Sequence, residues 1–383
     1  MRSWRDDPVP LMTTSELLSE TVDSARTREN SAFDGLAVES GKNFVLFGAG
    51  RLGRKVAAAL RRHGIEPLAF ADNDPRLDGT KVDGTLVFSP AAAAGRWDDD
   101  ALFVVTTFLP QGGGIGSRLR ELALLGCKKT TNFLPFGWKF EGVLPHFGSD
   151  LPSRLLEHAR ELEKVEELWC DHISRETYRQ ALAWRLRADF KETISPAPNQ
   201  YFPRDILRPN PEEVFVDGGA FDGDTLRAAP WQFARTLAIE PDPANAAILR
   251  SLSNQGTQVY ESLLGRVPGS ARFDGRGTMA SSRSDAGALE LSVMTLDELT
   301  AGEIPTFVKL DVEGDELAAL EGGVEMLKRV QPIVAVCVYH KPEDLWTIPL
   351  FLKEVLPYLR AHARNGFELV AYAELPECCP HPQ

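Results

Sequence analysis

The chain has no excess of positive charge, no paired cysteines and no long apolar run, and each absence closes a class of function. Lysine and arginine number 42 against 55 aspartates and glutamates, a net charge of −13. That balance argues against a nucleic-acid backbone or an anionic membrane as the main partner. The cysteines are five (Cys127, Cys170, Cys337, Cys378 and Cys379) and none of them forms a CxxC pair. An odd, scattered set reads as reduced thiols, not a disulfide framework or a zinc ribbon. No apolar stretch approaches the roughly 20 residues that a membrane helix needs. The first residues, MRSWRDDPVP, lack the apolar core of a signal peptide. The expected setting is therefore cytoplasmic, with no membrane partner. What is present is an ordinary core-forming composition, 43% hydrophobic over 383 residues, long enough to expect two domains.

Two stretches carry most of the chemistry. Val214–Thr225 reads VFVDGGAFDGDT, an apolar run entering Asp217 and then Gly218, Gly219 and Gly223. Leu237–Pro241, LAIEP, is a second apolar run that ends on Glu240. A strand ending in a glycine turn, followed by a strand ending in a carboxylate, forms a nucleotide cradle. The glycines admit the cofactor to the backbone, and the carboxylate accepts ribose hydroxyls. The turn has the D-x-G-x-x-x-G form, which points to S-adenosylmethionine and away from NAD. Earlier in the chain, Asn43–Phe47 leads into a complete GxGxxG at Gly48, Gly50 and Gly53. A helical pattern follows, then Pro67–Ala71 and Asp72, in the order and spacing of a dinucleotide-binding unit with Asp72 on the ribose.

These patterns predict an α/β chain of two doubly wound domains. Residues 1–40 read as a polar lead-in with one short amphipathic piece at Ser15–Val22, expected to form a lead-in helix. A Rossmann-like domain is expected over 41–148, with strands at 102–106 and 128–133 and a helix at 115–125. A helical connector follows over 149–200, two helices with Ser174 and Thr177 as candidate caps near their break. The proline-rich segment Ser195–Asp205 marks entry to the second domain, 201–383. Strands are expected there at 213–217, 236–240, 257–261, 306–311 and 333–339. Asn365-Gly366, between Leu359–Arg364 and Phe367–Ala373, predicts a closing antiparallel hairpin. Class I methyltransferases close their sheet this way and dehydrogenase folds do not, so a class I methyltransferase domain is expected over 201–383. The segment 265–293 is rich in glycine and serine and matches no core element. Its Gly275–Gly287 stretch is expected to be a lid over an acceptor.

On these residues the second half resembles the FkbM family of S-adenosylmethionine-dependent O-methyltransferases. The carrying stretches are VFVDGGAFDGDT, LAIEPDP, VMTLDEL, FVKLDVEGDELAALEGG and PIVAVCVYHKPEDL, together spanning about residues 200–375. The resemblance implies a cofactor lying along Gly218–Phe221, with its carboxylate near Asp224 and Thr225 and its ribose on Glu240 beside Pro241. Phe221 stands where many methyltransferases have glycine. Ser262 is a candidate for the adenine.

Lys309, Asp311 and Glu313 alternate near the carboxyl end of the fourth strand, where substrates of open α/β sheets sit. His340 follows the fifth strand. Asp311 and His340 are the candidate bases for a hydroxyl, with Lys309 orienting Asp311 or stabilising developing charge. The bland alternative is that Asp311 or Glu313 caps the next helix and Lys309 merely pairs with it. Glu316 reads as a residue that offsets the helix dipole. No metal-ligand cluster is evident, although Asp311 and neighbouring carboxylates could take Mg²⁺ through oxygen. The acceptor expected is a small molecule, a sugar or natural-product hydroxyl, and the chain is a candidate homo-oligomer. Two other functions remain open at this stage. One is an NAD(P)-dependent sugar oxidoreductase or epimerase built on Gly48–Gly53, and the other is a non-catalytic binding protein.

Overall fold

The computed structural model describes residues 12–108, 114–145, 148–190, 200–210, 212–252, 256–275, 282–283, 287–357 and 359–375. It divides into two compact units, residues 1–159 with 179–195, and residues 160–178 with 196–383.

The first unit has a six-stranded sheet: β1 (Phe44–Phe47), β2 (Ala69–Ala71), β3 (Lys81–Val82), β4 (Thr85–Phe88), β5 (Leu102–Val105) and β6 (Thr130–Asn132), in the order β3-β4-β2-β1-β5-β6. All neighbours are parallel except β3 with β4. β1 and β5 are buried at every position, which is why they read as unbroken apolar runs without alternation. The helix Arg51–Arg62 starts directly after the glycine turn. The lead-in is helical, and most of its helix lies beyond the amphipathic piece Ser15–Val22. An 18-residue helix covers Val22–Glu39 and buries Ala25, Glu29, Phe33 and Ala37. That stripe holds two alanines and one glutamate, so its apolar signal is faint. Glu29 is satisfied by the Ser153 amide at 2.5 Å and hydroxyl at 3.0 Å.

The helices of residues 152–187 run Pro152–Leu156, Ala159–Leu168 and His172–Arg187. The cap at the last break is neither Ser174 nor Thr177. Asp171, just before the helix, accepts from the Ser174 amide at 2.7 Å.

The second unit's main sheet comprises β7 (Val214–Gly218), β8 (Arg235–Ile239), β9 (Thr257–Tyr260), β14 (Phe307–Leu310), β15 (Ile333–Cys337), β16 (Arg360–Arg364) and β17 (Val370–Glu374). Their order is β16-β17-β15-β14-β7-β8-β9, and only β17 runs antiparallel to its neighbours. The winding reverses between β7 and β14, which opens a crevice at the carboxyl ends of those strands. Under the sheet, the Phe215 and Phe307 rings stack at 5.0 Å, packed with Phe202, Cys337 and Tyr372. The hairpin forms, but not through a two-residue turn. Arg364 pairs with Val370, so five residues (365–369) connect the strands, with Asn365 left-handed at φ 62°.

The described part of the segment 265–293 holds a second sheet, where no core element was expected. β10 (Leu263–Leu264), β11 (Gly269–Asp274), β12 (Ser282–Arg283) and β13 (Leu289–Met294) pair in the order β10-β13-β11-β12. Leu263, Phe273 and Val293 form its own small core, flanked by Ala271, Leu289 and Leu291. The alternation that builds it is legible in β13, where Leu289, Leu291 and Val293 share one face. Of the expected lid Gly275–Gly287, all but its two end glycines and β12 lies outside the described residues.

Candidate active site

The turn after β7 is shaped first by packing. Gly219 has φ +76°, and a Cβ there would fall 1.8 Å from the Asp311 carbonyl. A Cβ on Gly218 would meet Leu310 Cδ2 at 2.8 Å. Gly223, at φ +87°, begins the five-residue helix Asp224–Ala228. At Gly218 and Gly219, then, the absence of a side chain makes room for the Leu310 side chain and the Asp311 backbone before it serves any cofactor. Phe221 is also left-handed, φ 47°, which is costly for a residue with a Cβ and explains why glycine suits that position. Its amide donates to Glu240 Oε2 at 2.8 Å, while Glu240 Oε1 accepts from the Asp242 amide at 2.8 Å. Glu240 is 5% exposed. Burial raises its carboxyl to about 7 despite the amides and the Asn245 side chain, which favour the anion.

Other expected cofactor residues are placed differently. Asp224 is exposed and accepts from the Thr225 amide, and Thr225 is buried. Pro241 is half-buried. Ser262 is buried, its hydroxyl within reach of the Leu263 and Ser292 carbonyls at 3.0 and 2.9 Å. It ties β13 to the chain after β9. Asp217 is fully buried and lies 3.0 Å from Lys309 Nζ, so it braces the sheet and does not face the crevice.

Lys309 is the clearest departure from the sequence reading. It sits in β14 opposite Asp217, is 1% exposed, and donates to the Gly219 carbonyl at 2.7 Å. Burial lowers a lysine, but Asp217 and Asp311 outweigh it and hold Lys309 protonated well above the ordinary range. An enclosed brace of this kind does not touch an acceptor. Lys309 therefore supports the turn, with Tyr201 stacked 5.1 Å from its ammonium.

Past the end of β14 the chain brings Asp311, Glu313 and His340 together. Asp311 Oδ2 accepts from the Tyr201 hydroxyl at 2.6 Å. His340 Nε2 lies 3.4 Å from Asp311 Oδ1 and 3.7 Å from Glu313 Oε2. Its Nδ1 is 2.8 Å from Glu316 Oε1, a fully buried oxygen that also accepts from the Val312 and Gly314 amides. Burial disfavours an imidazolium, yet Glu316, Asp311 and Glu313 raise His340 to about 10. In that state the ring donates, and the base role expected of His340 would first require one ring nitrogen to release its proton. Burial raises Asp311 too, but Lys309 and His340 overcome it and leave it below the usual carboxylate range. Burial carries Glu313 up to about 7.

Tyr201, Glu313 and Glu316 are the residues that sequence reasoning undervalued. Tyr201 sits in the proline-rich stretch that reads as the entry to the second domain. Glu316 is not at a solvent-facing helix start but anchors His340. Glu313 is left-handed, φ 54°, so the strand alternation invoked for it stops at Leu310.

In the first unit, Gly48 and Gly53 are also packing glycines. A Cβ on Gly53 would lie 1.9 Å from the Gly48 carbonyl, and one on Gly48 would meet Thr107 at 2.8 Å. Gly50 is the residue before the helix and has open space around it. Asp72 accepts from the Ala49 amide at 2.7 Å and the Asp74 amide at 2.9 Å.

Residues 217–369 match the family model of the methyltransferase FkbM domain. The second unit thus carries an FkbM methyltransferase domain. Methyl transfer is the chemistry of that family. A solved FkbM methyltransferase from Methylobacillus flagellatus KT aligns over 94% of this chain and 99% of that one, at TM-score 0.75 and 18% identity. The likeness shows a shared fold along nearly the whole chain, both units included. A solved rRNA methylase from Streptococcus thermophilus aligns over 45% of this chain and 99% of that one at 15% identity, and its TM-score of 0.28 carries no argument. No curated protein matches this chain. Among the described residues, no helix is long and apolar enough to cross a membrane.

Proposed function

We propose that the FkbM domain is an S-adenosylmethionine-dependent O-methyltransferase acting on a hydroxyl of a sugar or natural-product scaffold. The observation that carries this reading is Glu240, a buried carboxylate at the carboxyl end of β8 whose two oxygens are aimed by backbone amides. A carboxylate offers about four lone-pair sites, so these bonds leave acceptor capacity for a ribose hydroxyl. An acceptor of this kind fits a hydroxylated nucleoside, and the left-handed turn at Phe221 is fixed against the same carboxylate. When bound, S-adenosylmethionine supplies a methyl group already activated as a sulfonium.

The protein's part is position. Lys309 and Asp217 hold the turn from beneath, and Glu240 holds it from the side. Asp311, Glu313 and His340 lie beyond the ends of β14 and β15, where this reading puts the acceptor; all three are available to hold its hydroxyl, and the two carboxylates to receive its proton. Most acceleration from such a site comes from orientation. The test is Glu240→Ala, which removes the acceptor and should weaken S-adenosylmethionine binding by about 1–3 kcal/mol. Titration calorimetry on the folded variant decides it, and unchanged affinity would refute the assignment.

A further inference from the structure

We propose that Asp311 Oδ1, Glu313 Oε2 and His340 Nε2 form a binding site for a divalent first-row metal ion. These three donor atoms lie within 4.8 Å of one another. Their separations are the main argument. An ion held about 2.0–2.2 Å from each donor keeps neighbouring donors roughly 2.8–3.6 Å apart at octahedral or tetrahedral angles. The distances from His340 Nε2 to Asp311 and Glu313, 3.4 and 3.7 Å, lie close to that spacing and are long for hydrogen bonds.

Cys170, Asp171 and His362 also cluster. There the carboxylates of Asp171 and Glu374 lie 2.6 and 3.0 Å from the two ring nitrogens, so both are taken by short hydrogen bonds. That histidine is a structural brace.

The supporting atoms of the proposed site point the same way. Glu316 fixes the His340 ring through Nδ1, the carboxylate–histidine–metal arrangement that directs Nε2 at an ion, which takes the place of the Nε2 proton. Tyr201 holds Asp311 through Oδ2 and leaves Oδ1 facing the histidine. Asp311 Oδ1 is itself buried and has no hydrogen-bond partner among the described residues. Glu313 and Asp311 are each about a quarter exposed at the side chain, which provides an entry path. Two carboxylates and one imidazole favour Mn²⁺ or Zn²⁺ over Mg²⁺, which seldom takes nitrogen.

The catalytic use of this ion rests on the proposed hydroxyl acceptor. An ion here would coordinate the acceptor oxygen and ease loss of its proton to solvent. Binding itself does not depend on that reading. The test is full-length, chelator-treated protein titrated with Mn²⁺ alone, followed by electron paramagnetic resonance, with Zn²⁺ as competitor. One ion per chain is expected, displaced by Zn²⁺, with affinity at least tenfold weaker in Glu313→Gln. Absence of stoichiometric binding, or equal affinity in Glu313→Gln, would overturn the site. S-adenosylmethionine affinity of the same variant, measured separately, should stay at the wild-type value. If Mn²⁺ binds while neither protein binds S-adenosylmethionine, the metal site stands and the cofactor reading falls.

Discussion

Lys309 and Asp217 face each other across β14 and β7 with almost no contact with water. A buried pair of this kind adds little compared with an apolar pair, but removing one partner strands the other charge. Lys309→Met should lower stability by about 3–5 kcal/mol, read as the midpoint of urea denaturation. A loss under 1 kcal/mol would mean that Asp217 is not ionised in the fold. Glu240 makes a different prediction. Its carboxyl is raised to about 7 in the folded protein against 4.5 when free. The folded state then holds a proton that the unfolded chain releases, so this residue's contribution to stability declines as pH rises from about 4.5 to 7. Glu240→Gln should flatten that part of the stability profile. It should also remove the loss of S-adenosylmethionine affinity expected below pH 7, where the anionic acceptor disappears. Calorimetry at pH 5.5 and 8 checks both proteins, and an unchanged pH slope in the variant would assign the effect elsewhere. Asp217 and Glu240 were both visible as acids ending strands. Their different fates were not, because burial depends on which strand lies opposite, and Lys309 is 92 residues away in sequence.

The central strands were readable because buried parallel strands announce themselves as short apolar runs, and β7, β8, β14 and β15 each start and end within two residues of the expected bounds. Elements whose signal is shared with distant partners were harder. The lead-in helix was expected, but its bounds, Val22–Glu39, were hidden because it buries few large side chains, and the β10–β13 sheet was obscured by the glycines and serines around it. That small sheet reaches the site through Gly275, where a Cβ would lie 3.2 Å from Asp242 Oδ2, two residues past Glu240. Its core is thin, so Phe273→Ala should cost about 3–5 kcal/mol. Limited proteolysis should show cleavage concentrated between residues 263 and 294. Wild-type resistance there would mean that the sheet does not depend on its phenylalanine.

Across the molecule, two units repeat one junction: a strand, a glycine turn, and an acid at the end of the next strand that accepts an amide from the turn. Only the second unit falls within the FkbM match. Hydrogen exchange on the whole chain separates their roles. S-adenosylmethionine should slow exchange around 218–225 and 240–242 and leave 48–53 unchanged, whereas slowing at 48–53 on adding NAD(H) would give the first unit a ligand of its own. Protection by S-adenosylmethionine at 48–53 alone would reverse the assignment. The two junctions also differ in reach. Gly48 and Gly219 hold equivalent places, each donating its amide to the residue before the acid, Ala71 or Ile239. Asp72 then meets the next residue, Ala49, while Glu240 meets the second one along, Phe221. One extra methylene spans one extra residue, so the acid works as a ruler for its turn. At this junction aspartate and glutamate are different parts, and a charge-conserving exchange would leave the longer turn untethered at its one left-handed phenylalanine.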